Sequence, residues 1–330
     1  MRQADLMVSE GYKDVGYQYV NIDDCWMARD PKGNLIADPV RFPHGLKHLV
    51  DYVHAKGLKL GTYSDIGSST CGGFPAFNVS ADDDQGPEPQ YVRDVKMLAE
   101  AGIDSLKVDG CNADPAVMNV TYPKLGAALN ATGRTILYSC SWPDYVASKY
   151  GNAAVQWELL KQYCNGWRNF NDIWAAYDSM RAIVQHWANQ PPVEGWDYDA
   201  FVSAAGPGSQ NDPDMILVGG TGLSQAQSEM QFGLWSIFSA PLLMTNDLAT
   251  VDPESKAILL NKEVIAVSQD RLVKQGACVG SGKANQTLYN TNTLVFMKEL
   301  SDGGVAAGMT NLGSFGPPTL MNFTTDQVRP

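Results

Sequence analysis

The sequence predicts a (β/α)₈ barrel that lacks its first strand, followed by an incomplete antiparallel β domain. Three observations carry this. Seven short apolar runs each stop at polar residues, amphipathic segments ending in glycine fill the intervals, and after about residue 272 the pattern turns to short β-prone pieces. The expected boundaries are 1–272 for the barrel and 273–330 for the β domain, which reads as truncated.

The elements follow in order. The chain opens at Met1 inside a helical pattern (Leu6, Met7, then Gly11 and Gly16) with no strand ahead of it. A seven-stranded barrel would leave unpaired edges, so a strand is expected to precede Met1 in the parent protein. Tyr17–Ile22 runs into Asp23 and Asp24, Leu58–Tyr63 into Asp65, and Ile103–Val108 into Asp109. Thr135–Cys140 stops at Ser141, and the stretch after Cys164 reaches Arg168 and Asp172. Phe201–Ala205 precedes Asn211 to Asp214, and Leu242–Thr245 stops at Asn246 and Asp247. Positions 23, 65, 109, 141, 172, 214 and 247 lie 42, 44, 32, 31, 42 and 33 residues apart. Each interval has room for a strand and a crossover helix. Arg41–Lys56 supplies one such helix, with Leu46, Leu49, Val50 and Val53 before Gly57; Tyr91–Ala101 supplies another, with Val92, Val95, Leu98 and Ala99 before Gly102. Alternating strands and helices imply a parallel sheet, and polar residues at the strands' C-terminal ends imply a barrel rim. Toward the end, Thr287–Tyr289, Thr293–Phe296 and Val305–Met309 read as antiparallel strands.

A net charge of −12 and a pI near 4.7 argue against nucleic acid or an anionic membrane as partner. No apolar run is long enough to span a bilayer. Five Asn-x-Ser/Thr sequons, at Asn78, Asn119, Asn130, Asn285 and Asn322, point toward the secretory pathway. The six cysteines (Cys25, Cys71, Cys111, Cys140, Cys164 and Cys278) lack zinc-type clustering and suit disulfides better.

Only four histidines occur, and His44, His48 and His54 sit within one helical pattern, so a histidine metal site or a Ser-His-Asp hydrolase has little to build on. Nucleotide-binding glycine loops are absent. Strand-end carboxylates are plentiful: Asp23, Asp24, Asp65, Asp109, Asp172, Asp212 and Asp214. Such clusters serve either a carboxylate metal site or a glycosidase pair. Aromatic residues beside the same strand ends (Trp26, Tyr63, Phe74, Trp142, Tyr145, Trp167 and Phe170) favour the second, because a sugar's apolar face needs flat partners. Lys107 and Arg168 would keep neighbouring carboxylates ionised and offer hydrogen bonds to hydroxyl groups.

Five segments carry a resemblance: Ile22-Asp23-Asp24-Cys25-Trp26-Met27, Arg41-Phe42-Pro43-His44-Gly45, Lys107-Val108-Asp109-Gly110-Cys111, Trp167-Arg168-Asn169-Phe170 with Asp172, and Asn211-Asp212-Pro213-Asp214-Met215. In register from about residue 4 to about 275, the chain resembles the α-galactosidase/α-N-acetylgalactosaminidase family, the melibiase-type retaining glycoside hydrolases. The resemblance implies a barrel followed by an antiparallel β domain, with no cofactor and no metal. It makes Asp109 the expected nucleophile and Asp172 the expected general acid/base. Asp23, Asp24, Tyr63, Lys107, Cys111, Tyr145, Arg168 and Asp214 become expected sugar-binding residues. Disulfides Cys71–Cys111 and Cys140–Cys164, a carbohydrate substrate, a homodimer and a lysosomal or secreted location are implied in the same way.

Sugar choice is expected to rest on Ser141 and Asp144. Galactose-specific animal members resembling this chain carry Glu and Leu there, whereas those accepting N-acetylgalactosamine carry Ser and Ala. Ser141 fits the second pattern and Asp144 fits neither, so the expectation is a roomy pocket at C2 that accepts both sugars. The family's usual partner for Cys25, and a further substrate-contacting tryptophan, would lie ahead of Met1. Cys278 has no family counterpart. The alternative reading is a catalytically inactive fragment or a sugar-binding homologue.

Overall fold

Parallel strands organise the first of two units, Met1–Asn169. The structure is a computed structural model, and it describes residues 1–82, 88–188, 198–279 and 293–313. Helix α1 (Arg2–Ser9) leads to β1 (Tyr19–Asn21), a small hairpin of β2 (Met27–Arg29) and β3 (Leu35–Ala37), and α2 (Gly45–His54). Then come β4 (Lys59–Asp65), α3 (Gln90–Ala101), β5 (Ser105–Asp109), α4 (Met118–Ala131), β6 (Leu137–Cys140), α5 (Trp142–Tyr150), α6 (Trp157–Tyr163) and β7 (Gly166–Arg168). The parallel strands neighbour one another in the order β1-β4-β5-β6-β7, with helical crossovers as the spacing predicts.

The helices form for readable reasons. On α2, Leu46, Val50 and Val53 recur on one face and are buried. The helix begins at Gly45 rather than at Arg41 because Pro43 disfavours helical geometry in the residue before it. Helix α3 buries Tyr91, Val95, Leu98 and Ala101 and ends at Gly102, whose φ of +95° suits glycine. Its buried Asp94 accepts both arms of the Arg29 guanidinium, at 3.0 and 2.6 Å, and so anchors the hairpin.

Strand register sets the side chains in layers. Asn21, Gly61 and Ser105 share one rung, and Tyr63, Lys107 and Ser139 the next. Asp65 pairs with Asp109 at the C-terminal ends. A Cβ on Gly61 would fall 1.8 Å from Asn21 Oδ1 and 2.0 Å from Ser105 Oγ, so only glycine closes the first rung. Side chains alternate across each strand. On β5, Leu106 and Val108 are fully buried, while Lys107 and Asp109 face the other way and are half-buried.

The second unit, Phe170–Pro330, contains α7 (Tyr177–Trp187), α8 (Tyr198–Ala204), β8 (Gln210–Asp212), α9 (Gln225–Ile237), α10 (Pro253–Leu259) and α11 (Lys262–Ser268). An antiparallel sheet of β9 (Ala277–Cys278), β10 (Thr293–Glu299) and β11 (Val305–Asn311) follows, in the order β11-β10-β9. Ser224 and Gln227 close a capping box at the start of α9. Aromatic rings join the unit's helices to one another and to its sheet: Trp187 of α7 meets Phe201 of α8 at 5.1 Å, and Phe238 at the end of α9 meets Phe296 of β10 at 5.0 Å.

Two expectations need correcting. Phe201–Ala205 is not a strand, since α8 covers Tyr198–Ala204 and buries Phe201 and Ala204 three residues apart; the strand is β8. An apolar run of five residues has no periodicity that separates a strand from one buried helical turn. Leu242–Thr245 forms only a single parallel bridge, between Met244 and Ile216. Thr287–Tyr289 lies outside the described residues.

Candidate active site

The ends of β1, β4 and β5 gather most of the expected site residues of the first unit. Lys107 reaches Asp23 Oδ2 at 3.0 Å, and its ammonium lies 5.0 Å from the centre of the Tyr63 ring. Burial works against the Lys107 charge, but Asp23 and Asp109 outweigh it and raise the amine above its ordinary range. Lys107 therefore stands as a fixed cation among carboxylates.

Asp109 is held by two phenols. Tyr145 donates to Oδ1 at 2.8 Å, and Tyr63 lies 3.2 Å from Oδ2. Both hydroxyls also touch sulfur, Tyr63 at Cys71 and Tyr145 at Cys111, each at 3.2 Å. A phenol has one proton to give and a carboxylate is the stronger acceptor, so the protons belong to Asp109. Burial first, and Asp109 second, push both phenols well above their ordinary range and keep them protonated as donors. Gly110 makes room for this: a Cβ there would lie 3.0 Å from the Tyr145 ring and 2.6 Å from the Met118 methyl.

Disulfides frame the rim. Cys71 bonds to Cys111 and Cys140 bonds to Cys164, as the resemblance implied. Asp24 accepts from Gly72 N at 2.8 Å and so ties the Cys71 loop down. Cys25 and Cys278 are in no disulfide among the described residues. Asp65, Cys71, Asp109 and Cys111 bring one ligand-type atom each within 4.8 Å of the others. The two sulfurs are spent on each other, which leaves a pair of carboxylates rather than a metal cage.

Ser141 is buried directly after β6, and its N–H donates to the Val108 carbonyl at 3.0 Å. Asp144 follows in the first turn of α5. Arg168 is buried at the end of β7, and its charge is felt at Lys107. Asn78 and Asn130 are exposed. Asn119 lies inside α4 and accepts from Trp142 Nε1 at 2.8 Å, while Asn285 and Asn322 lie outside the described residues.

In the second unit, Asp172 is exposed ahead of α7. The N–H of the next residue, Ile173, donates to Asp214 Oδ2 at 2.8 Å. Asp214 is buried with a φ of +76°, and it is pinned by its own N–H to Asp212 Oδ1 and by Trp235 Nε1 to its carbonyl. Asp214 thus braces the segment that carries Asp172.

Asp65 was noted in the sequence only as a strand end. It is fully buried and receives N–H groups from Gly67 at 2.7 Å and Cys111 at 2.9 Å. The signal that could have found it is the pairing of two neighbouring apolar runs that both end in Asp.

A family model described as alpha galactosidase A matches residues 1–270. The chain belongs to that family of glycoside hydrolases. Within it, the chain is 44% identical over 96% of its length to human α-galactosidase A, covering 68% of that protein. To chicken α-N-acetylgalactosaminidase it is also 44% identical, over 84% of the chain and 64% of the relative. The chain thus spans about two-thirds of these relatives' length. Among solved structures, a putative α-galactosidase/melibiase from Bacteroides fragilis superposes with a TM-score of 0.79 at 31% identity, covering 94% of this chain and 63% of that one. The Saccharomyces cerevisiae α-galactosidase solved with raffinose gives 0.79 at 25% identity, covering 99% and 72%. The fold class is the (β/α)₈ barrel with a following antiparallel β domain, as the sequence predicted.

Proposed function

We propose that the chain carries the catalytic machinery of an exo-acting retaining α-glycosidase that removes terminal α-linked galactose or N-acetylgalactosamine from glycoconjugates or oligosaccharides. The observation that supports this most is the Asp109 carboxylate, half-buried at a strand end, fixed by two phenols and set near the Lys107 ammonium. Asp109 attacks the anomeric carbon while protonated Asp172 gives its proton to the leaving oxygen. A covalent glycosyl ester forms on Asp109. Asp172, now a carboxylate, takes a proton from water as the water attacks the same carbon, and the sugar leaves with its α configuration retained. Enzymes of this type hold their two carboxyl groups about 5–5.5 Å apart. Asp23, Asp24, Lys107, Arg168 and Asp214 grip the terminal sugar's hydroxyls, Tyr63 and Tyr145 orient the nucleophile, and Ser141 leaves room at C2.

The barrel boundary read from the sequence, 1–272, belongs to this proposal, as does a homodimer. A lysosomal or secreted location is supported by two disulfides and by exposed sequons at Asn78 and Asn130. No helix among the described residues is long and apolar enough to cross a membrane. The test is hydrolysis of aryl α-galactoside and aryl α-N-acetylgalactosaminide. Parent activity that survives EDTA and falls by at least about 10³-fold in Asp109→Asn supports the reading. Sugar binding without turnover by the parent would instead identify a carbohydrate-binding homologue.

A further inference from the structure

The Asp65 carboxylate does two jobs. Oδ1 accepts from Gly67 N, a local turn of the kind Asp often makes, whereas Oδ2 accepts from Cys111 N, 46 residues away. The second bond reaches across β4 and β5 to the turn that immediately follows Asp109. Around it the two chains are stitched together: Ile66 N donates to the Asp109 carbonyl at 2.8 Å, and Asn112 Nδ2 donates to the Ser69 and Thr70 carbonyls. A Cβ on Gly67 would fall 2.3 Å from the Asn112 carbonyl, so the two loops run in direct contact. The Cys71–Cys111 disulfide joins the same loops covalently.

A buried carboxylate in this place is costly unless something uses it. The groups facing it are the carboxylates of Asp109 and Asp24 and the phenols of Tyr63, Tyr122 and Tyr145. None brings positive charge. An apolar side chain would fill the space without that penalty, but it could not receive two N–H groups that point inward.

We propose that Asp65 is a positioning residue of the nucleophile, acting on its backbone where Tyr63 and Tyr145 act on its oxygens: the Asp65 side chain fixes the Asp109-Gly110-Cys111 turn against the Gly67–Cys71 loop. The inference rests on the reading of Asp109 as nucleophile. Asp65 does not touch the sugar. It acts through the turn that carries Asp109.

The test compares the full chain with Asp65→Asn, Asp65→Leu and Asn112→Ala on an aryl α-galactoside, with the thermal midpoint of each variant measured alongside. The amide oxygen of Asn keeps one of the two N–H bonds and Leu keeps neither. The expected kcat loss is about 10-fold in Asp65→Asn, larger in Asp65→Leu and a few-fold in Asn112→Ala, with KM within about threefold throughout. In Asp65→Asn the part of the kcat/KM profile that follows ionisation of Asp65 near pH 6 disappears, because the amide does not titrate. The inference is overturned if kcat stays within about twofold of the parent in Asp65→Asn and Asn112→Ala, or if losses follow the thermal midpoints with an unmoved pH profile. An inactive parent would overturn the glycosidase reading itself, whereas an active parent with unaltered variants defeats this inference alone.

Discussion

At the scale of single residues, Asp65 makes a thermodynamic prediction separate from the positioning role proposed for it. Burial first, then repulsion from Asp109 and Asp24, push its carboxyl up to about 6 from an ordinary 3.8, against the N–H bonds from Gly67 and Cys111 that pull it down. The folded state therefore binds this proton more tightly than the unfolded chain does. The group's favourable contribution is complete below about pH 4 and is lost as pH rises through about 6. About two pK units correspond to about 3 kcal/mol, as an order of magnitude. Urea unfolding from about pH 4 to about pH 7 is expected to show stability falling across this window in the parent and a flatter course in Asp65→Asn. A second prediction concerns Ser141, buried beside Val108 where β6 hands over to α5. Ser141→Glu should turn the ratio of activities toward galactoside by about 10-fold or more, because the larger side chain would occupy the room proposed for a C2 substituent. An unchanged ratio would remove this loop as the selector. Asp109 was legible in the sequence because an apolar run delivers it into a glycine turn. Asp65 shares the first half of that signal, but its partner Cys111 N comes from a loop 46 residues on, and no local pattern announces a contact that distant.

At the scale of elements, the strands that carry the site were readable because their ends are abrupt: Asp65 and Asp109 close β4 and β5 as the apolar runs implied. The failures share a cause. Phe201–Ala205 and Leu242–Thr245 are both short, and tertiary packing rather than periodicity decides short apolar runs. The β2–β3 hairpin was missed because each strand has only three residues, too few for an alternation to show. Gly61 gives the element-scale prediction. With Asn21 Oδ1 and Ser105 Oγ both at or within 2.0 Å of where a Cβ would stand, Gly61→Ala must part β4 from its neighbours or eject two polar groups. The expected cost is about 3 kcal/mol, read as a lowered urea midpoint with loss of activity in proportion to unfolded protein.

For the whole molecule, composition speaks to behaviour in solution. Thirty-six acidic residues against 24 basic ones leave a net charge of −12 at pH 7, which vanishes near pH 4.7. Self-association measured by light scattering should be strongest near that pH and fall toward neutrality as like charges separate the molecules. Nothing local in the sequence signals the division at Asn169 and Phe170, because it falls within the motif Trp167-Arg168-Asn169-Phe170 rather than in a linker.

The rungs of the first unit also bear on mutation. Lys107 and Asp109 share a face only because β5 alternates, and Leu106 and Val108 occupy the opposite one. Deleting or inserting one residue inside β5 would exchange those faces, driving the charges into the apolar layer and the apolar residues onto the face that carries Lys107 and Asp109. Folding and chemistry would fail together, so a mutant with a shifted strand could not persist as a stable but inactive protein. Length changes between the strands carry no such coupling, and substrate preference can drift there while the proposed nucleophile stays in frame.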